Sequence, residues 1–117
     1  MILPTNWPTD ASVFAEHLAP VRAMENHLFF MVVNRVGSEG GFEFIGHSCL
    51  CAPNGSVIAS CPNRQEACLV ARIDPQLARN KRIVRQPGEH EIDRILDRRP
   101  ELYKGLVEGQ ESSPNHC

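Results

Sequence analysis

Five cysteines and five histidines are the residues of this 117-residue chain best suited to chemistry. His47, Cys49 and Cys51 recur at every second position, the spacing that puts side chains on one face of a strand. A histidine and a cysteine so placed can form a thiolate–imidazolium pair, the activated state that a cysteine nucleophile requires. The same three residues with Cys61 and Cys68 also make a candidate zinc set. Structural zinc sites take paired cysteines about two to four residues apart on knuckle turns, and Cys-x-Cys inside an alternating strand is a poor knuckle. The odd cysteine count and irregular spacing disfavour a disulfide framework, so free thiols in a reducing compartment are the expectation. Neither a metal ligand nor a cofactor is assigned.

The elements that must carry these residues follow from periodicity. Thr9 or Asp10 can cap a helix whose apolar face is Phe14, Leu18, Val21, Met24 and Leu28. Pro20 lies within it and is expected to bend or break it, because proline removes a donor to Glu16 and crowds the preceding turn. Arg22, Glu25 and Asn26 fall on one polar face, where an exposed ion pair is worth a few tenths of a kcal/mol. Leu28–Val33 is apolar without a break, which suits a strand covered on both faces. Phe42 to Ala52 alternates and reads as one long strand, with Gly46 leaving room for a close approach. Pro53-Asn54-Gly55 is turn chemistry that returns the chain along Val57–Ser60. Glu66 to Asp74 alternates again. Asp74-Pro75 then reads as an N-cap and first helical position, opening a helix to about Arg82.

Composition bounds the function classes. A net charge of -2 disfavours a general nucleic-acid or anionic-membrane binder, which needs a basic face. No apolar run approaches the length needed to cross a bilayer, and no leader pattern opens the chain, so a cytoplasmic protein is expected. The expected organisation is one domain over residues 1–107 followed by a polar, disordered tail over 108–117.

The residues around the apolar strand carry a further signal. Arg22-Ala-x-Glu25-Asn26, Asn34-Arg35-Val36-Gly37, Phe44-x-Gly46-x-Ser48 and Pro53-Asn54-Gly55 occur in the order found in the C-terminal half of the nitrilase, or carbon–nitrogen hydrolase, superfamily, which this chain resembles. The likeness runs from Pro4-Thr5-Asn6-Trp7-Pro8 to Arg98-Arg99-Pro100-Glu101-Leu102-Tyr103. It implies an α/β fold, part of a four-layer α–β–β–α sandwich, and hydrolysis of small-molecule amides, carbamoyl compounds or nitriles. Members use a cysteine nucleophile, a glutamate base and a lysine that stabilises the oxyanion, a logic that follows from thiol activation and charge development. In the family's order these all precede the Pro-Thr-Asn-Trp segment, so no catalytic residue is assigned here. Cys49 and Cys51 fall where the family has ordinary strand residues.

The resemblance implies that Asn6 and Trp7 line the mouth of the substrate pocket and that the Arg98–Tyr103 segment helps bind a second subunit, making a homo-oligomer. The expectation is therefore a C-terminal fragment of a hydrolase, from a truncated or internally started reading frame, inactive alone. The alternatives are a non-catalytic interaction half-domain and, third, a zinc-binding module. A half-sandwich is also expected to leave an edge and a face of Leu28–Val33 open to water and to self-associate.

Overall fold

A computed structural model of the chain describes residues 1–61 and 64–107. They form two compact units, one ending at Lys81 and one beginning at Arg82. The disordered tail expected from Glu108 lies outside the described residues.

The first unit is an α/β layer built on a four-stranded sheet. Its order is β1 (Ile2–Thr5), β2 (Phe30–Asn34), β5 (Cys49–Cys51) and β6 (Val57–Ser60). β1 runs parallel to β2 with Ile2 opposite Met31, whereas β5 and β6 complete the sheet antiparallel. The parallel pair needs a crossover, and the helical run between β1 and β2 supplies it. That run is a single turn at Thr9–Ala11, a π-helical turn at Phe14–Leu18 and helix α1 (Ala19–Asn26). Pro20 explains the division: it sits in the first turn of α1, where its missing N–H costs little, and the widened turn lies just before it.

α1 ends where His27 adopts a left-handed φ of 49°, with Leu28 N–H bonding back to the Ala23 carbonyl at 3.1 Å. Its last carbonyls are also met from far along the chain. The Lys81 ammonium donates to the carbonyl of His27 at 2.6 Å and to that of Asn26 at 3.2 Å, a favourable cation at a helix C-terminus. The expected polar face of α1 is present: Arg22 Nη1 lies 2.5 Å from Glu25 Oε1, and Asn26 Nδ2 donates to the Arg22 carbonyl.

The core lies between α1 and one face of the sheet. Ala19 and Ala23 let the helix approach Phe30, Val32, Cys49 and Cys51, with Leu3, Trp7 and Leu28 packed at its margin. On the other face, Met31 and Leu50 line a cavity of about 280 Å³ together with residues of the stretch from Ala67 to Ala71. Val33, on that face, is 48% exposed, against 1% for Val32.

Four sequence expectations change. β2 is flanked on both sides, by β1 and β5, so its edges are not open; among the described residues the outer strands of the sheet are β1 and β6. Phe42–Ala52 is two strands: β4 (Phe42–Ile45) pairs with β3 (Val36–Glu39) in a separate hairpin, and β5 joins the main sheet. The break falls at Gly46 and His47, both left-handed with φ of 68° and 57°, a conformation incompatible with a continuous strand. Glu66–Asp74 has no regular secondary structure and pairs with no strand among the described residues, because alternation sets a side-chain pattern without supplying a neighbouring edge. Helix α2 opens at Asp74-Pro75 as expected, with Asp74 Oδ1 accepting from Gln76 N–H, but covers only Gln76–Arg79.

Gly55 serves the β5–β6 turn twice. Its φ is 87°, and a Cβ there would stand 3.2 Å from both Met24 Cβ and the Pro20 carbonyl oxygen, so the turn lies directly on α1.

The second unit contains the hairpin of β7 (Arg82–Gln86) and β8 (His90–Asp93), turning at Pro87-Gly88, where Gly88 has φ 77°. An Arg82–Glu91 ion pair bridges its strands. A short turn at Pro100–Leu102 and helix α3 (Lys104–Val107) follow.

Candidate functional site

The loop after β1 carries Asn6 and Trp7, and the fold places it at the C-terminal ends of the parallel pair β1 and β2. In open α/β sheets this is the end at which ligands bind. The Asn6 side chain is exposed, while Trp7 is half-buried against the core, its ring 6.3 Å from that of Phe14 and tilted by 32°.

Backbone bonds hold the loop on both sides. Trp7 N–H donates to Asn34 Oδ1 at 2.8 Å, and the Trp7 carbonyl accepts from Ile45 N–H at 3.2 Å. Thr9 Oγ1 donates to the Glu43 carbonyl at 3.1 Å. The Asn34 amide is fully used: its Nδ2 donates to the Gly46 carbonyl at 2.6 Å, and its backbone N–H donates to Ser48 Oγ at 2.9 Å. Ser48 Oγ in turn donates to the Asn34 carbonyl at 3.2 Å. Asn34 is the buried polar residue of the described chain. Its burial is tolerated because every polar atom is met. Arg35, the next residue, lies 4.9 Å over the Phe44 ring and pairs with Glu39. A cleft of about 420 Å³ opens at this end, with Asn34, Arg35, Gly46, Ser48, Gln65 and Glu66 in its lining.

Asn34 is the residue that spacing did not single out. Its signal was present: a polar residue closing an otherwise apolar run must either reach solvent or find buried partners.

Cys61 is in the lining of the cleft, whereas Cys49 and Cys51 sit elsewhere, in an environment wrong for a nucleophile. Cys49 and Cys51 are buried side by side in the core. Burial pushes the Cys51 thiol up to about 12, and the charge and hydrogen bond of Cys49 push the same way. Burial also raises Cys49, against a smaller lowering from its bond with Cys51. His47 is in the left-handed turn rather than on the strand with them. Cys61 is half-buried, Cys68 is exposed, and the fifth cysteine lies outside the described residues. Among the described residues, no three His, Cys, Asp or Glu side chains converge into a group able to hold a metal ion. No helix among them is long and apolar enough to cross a membrane.

The sheet with α1 on its face, and the loop fastened at its C-terminal end, form an α/β arrangement with known relatives. A sequence model of the family described as carbon–nitrogen hydrolase matches residues 8–83. The chain belongs to this family, within the nitrilase superfamily. It is 37% identical over 91 residues to a nitrilase of Pyrococcus abyssi, covering 77% of this chain and 32% of that protein. It is 34% identical over 106 residues to N-carbamoylputrescine amidase of Solanum tuberosum, covering 80% of this chain and 33% of the relative. A crystal structure of a Saccharomyces cerevisiae member of branch 10 of the nitrilase superfamily superposes with a TM-score of 0.60 at 25% identity, over 68% of this chain and 30% of that one. The chain thus spans about a third of the length of the relatives it matches.

Proposed function

We propose that this chain forms the C-terminal portion of a carbon–nitrogen hydrolase domain acting on small amides, carbamoyl compounds or nitriles, and that alone it hydrolyses none of them. In the family it resembles, the glutamate base, the lysine and the cysteine nucleophile stand ahead of the Pro4–Trp7 segment. Nothing described here replaces them. Cys49 and Cys51 are held as thiols, and Lys81 is committed to the carbonyls that end α1. Without a thiolate and a fixed cation at the developing oxyanion, covalent amide cleavage has no activated nucleophile and no charge stabilisation.

The observation that carries this reading is the fastened Asn6–Trp7 loop at the C-terminal end of β1, immediately ahead of the region matched by the family model. The loop would form part of the substrate rim, with Asn6 presenting an amide to solvent and Trp7 supplying an apolar wall. A helix on one sheet face and apolar side chains on the other suit an inner sheet of a four-layer α–β–β–α sandwich. The exposed Arg98–Tyr103 segment would then contact a second subunit of a cytoplasmic homo-oligomer. No cofactor enters this chemistry.

The incompletely covered sheet face also favours a second reading, a non-catalytic half-domain that pairs with a partner. Ammonia release from amide, carbamoyl and nitrile substrates tests the first. No release above background is expected from the 117-residue chain. Release that depends on the chain and vanishes in Cys49→Ser or Cys51→Ser would overturn it. In-frame Glu, Lys and Cys motifs encoded upstream of Met1 would separate the hydrolase reading from the half-domain reading.

A further inference from the structure

Three separate segments meet at Asn34: the loop bearing Trp7, the left-handed turn at Gly46–His47, and Ser48 at the start of β5. We infer that Asn34 is the positioning residue of the substrate rim, a latch through which the Asn6–Trp7 loop and the Gly46–Ser48 turn hold one relative arrangement. This deepens the hydrolase reading and rests on it.

The geometry makes the assignment specific to an asparagine side chain. One end of the amide must accept, because it meets the Trp7 N–H at 2.8 Å. The other end must donate, because it meets the Gly46 carbonyl oxygen at 2.6 Å. Aspartate lacks the donor, leucine lacks both groups, and serine is too short to span the two partners. The backbone of the same residue is fixed independently, by Ser48 Oγ at 2.9 and 3.2 Å. Asn34 also sits in register with Thr5, the last residue of β1, so the latch acts where the rim loop leaves the sheet. The bond to Trp7 joins residues 27 apart in sequence and the bond to Gly46 joins residues 12 apart, so Asn34 adds a side-chain tie to the direct bond of 3.2 Å from Ile45 N–H to the Trp7 carbonyl.

Trp7 is the sole tryptophan, so its fluorescence reports on the loop directly, without any assay of activity. In the unaltered chain, Trp7 emission should be that of a half-buried indole, and its backbone amide should exchange far more slowly than the amides of the exposed Thr9 and Asp10. Asn34→Ala should red-shift the emission and raise the iodide quenching constant roughly twofold or more, as expected when a segment moves to the low-stability end of the local unfolding range. It should also cut protection of the Trp7 amide about tenfold, the loss of one net hydrogen bond. Asn34→Asp, which keeps the acceptor, should retain more of the Trp7 protection than Asn34→Ala. Ser48→Ala leaves both side-chain bonds of Asn34 in place and should move the emission least. Two results overturn the assignment: a folded Asn34→Ala chain with unchanged Trp7 emission and quenching, or a Trp7 amide in the unaltered chain that exchanges as fast as Thr9. The second needs no variant, so it decides the matter even if Asn34→Ala fails to fold. Because no readout depends on ammonia release, failure here leaves the hydrolase reading standing, and failure of that reading leaves the latch standing.

Discussion

Cys51 is a thiol that its surroundings keep from becoming a thiolate. Burial acts first and the neighbouring Cys49 acts in the same direction, so the folded chain holds this proton more tightly than the unfolded chain does. The stability contribution therefore has a definite sign. It is fully present below the ordinary thiol value of 9.0 and is lost as pH rises toward about 12. The urea midpoint of the chain should fall over that alkaline range, and Cys51→Ala should flatten the decline while lowering stability near neutral pH; equal alkaline slopes in both chains would show that the cause lies elsewhere. The same burial sets reactivity. Iodoacetamide at neutral pH should modify exposed Cys68 well before Cys49 or Cys51, as peptide mapping after partial labelling would read. At this scale the sequence was a mixed guide. It showed that Cys49 and Cys51 share a face, because alternation determines direction, but it put His47 beside them. Two successive left-handed residues, one of them a non-glycine, leave no trace in a hydrophobic pattern.

Turns decide how the elements meet, and Gly55 is the clearest case. A side chain there is opposed by its φ of 87° and by the 3.2 Å approach of Met24 Cβ and the Pro20 carbonyl oxygen. Gly55→Ala should destabilise the first unit by about 1–3 kcal/mol, read as a lowered urea midpoint at unchanged slope. The β7–β8 hairpin has a different dependence. The Gly88 N–H and then Arg82 hold the Glu91 carboxyl below its ordinary 4.5, and the Leu96 and Ile95 N–H groups hold Asp93 below 3.8. Stability from depressed carboxyls is present above those ordinary values and is lost as pH falls through the lower folded ones. Amide protection in the hairpin should thus weaken in acid below about pH 4, and Glu91→Gln should reduce that acid response. The interruption of the helix at Pro20, the Asn-Gly turn and the Asp74 cap were legible, because each depends on a local rule; the helix face was not, since Ala15, Ala19 and Ala23 are buried while Phe14, Val21 and Met24 of the expected apolar face are exposed. The split of Phe42–Ala52 between two sheets and the unpaired Glu66–Asp74 were not, because pairing depends on which edge tertiary structure brings near.

The largest scale concerns the sheet of the first unit, whose two faces are treated unequally. α1 seals the face of Phe30, Val32 and Cys51, while among the described residues of the first unit the Ala67–Ala71 stretch lies across the face of Met31 and Val33. Ile2, in register with Met31 on that second face, is 65% exposed, and Val70 of the overlying stretch is 91% exposed. An apolar side chain left in water forgoes about 1.5–3 kcal/mol of burial, so several together rival the net stability of a small domain. The chain is therefore expected to self-associate as its concentration rises. The contact should run through this second face and the outer edge of β1, and not through β2, which is paired on both sides. Adjacent positions on one strand distinguish the faces. Val33→Lys should reduce association and leave the fold intact. Val32→Lys, which forces an ammonium into the sealed core, should unfold the first unit at a cost on the order of several kcal/mol. Light scattering across a dilution series, paired with circular dichroism of each variant, separates the outcomes. A unaltered chain that stays monomeric at every concentration and melts in one sharp transition would mean that Ala67–Ala71 covers the face sufficiently, and the need for a partner sheet would disappear with it.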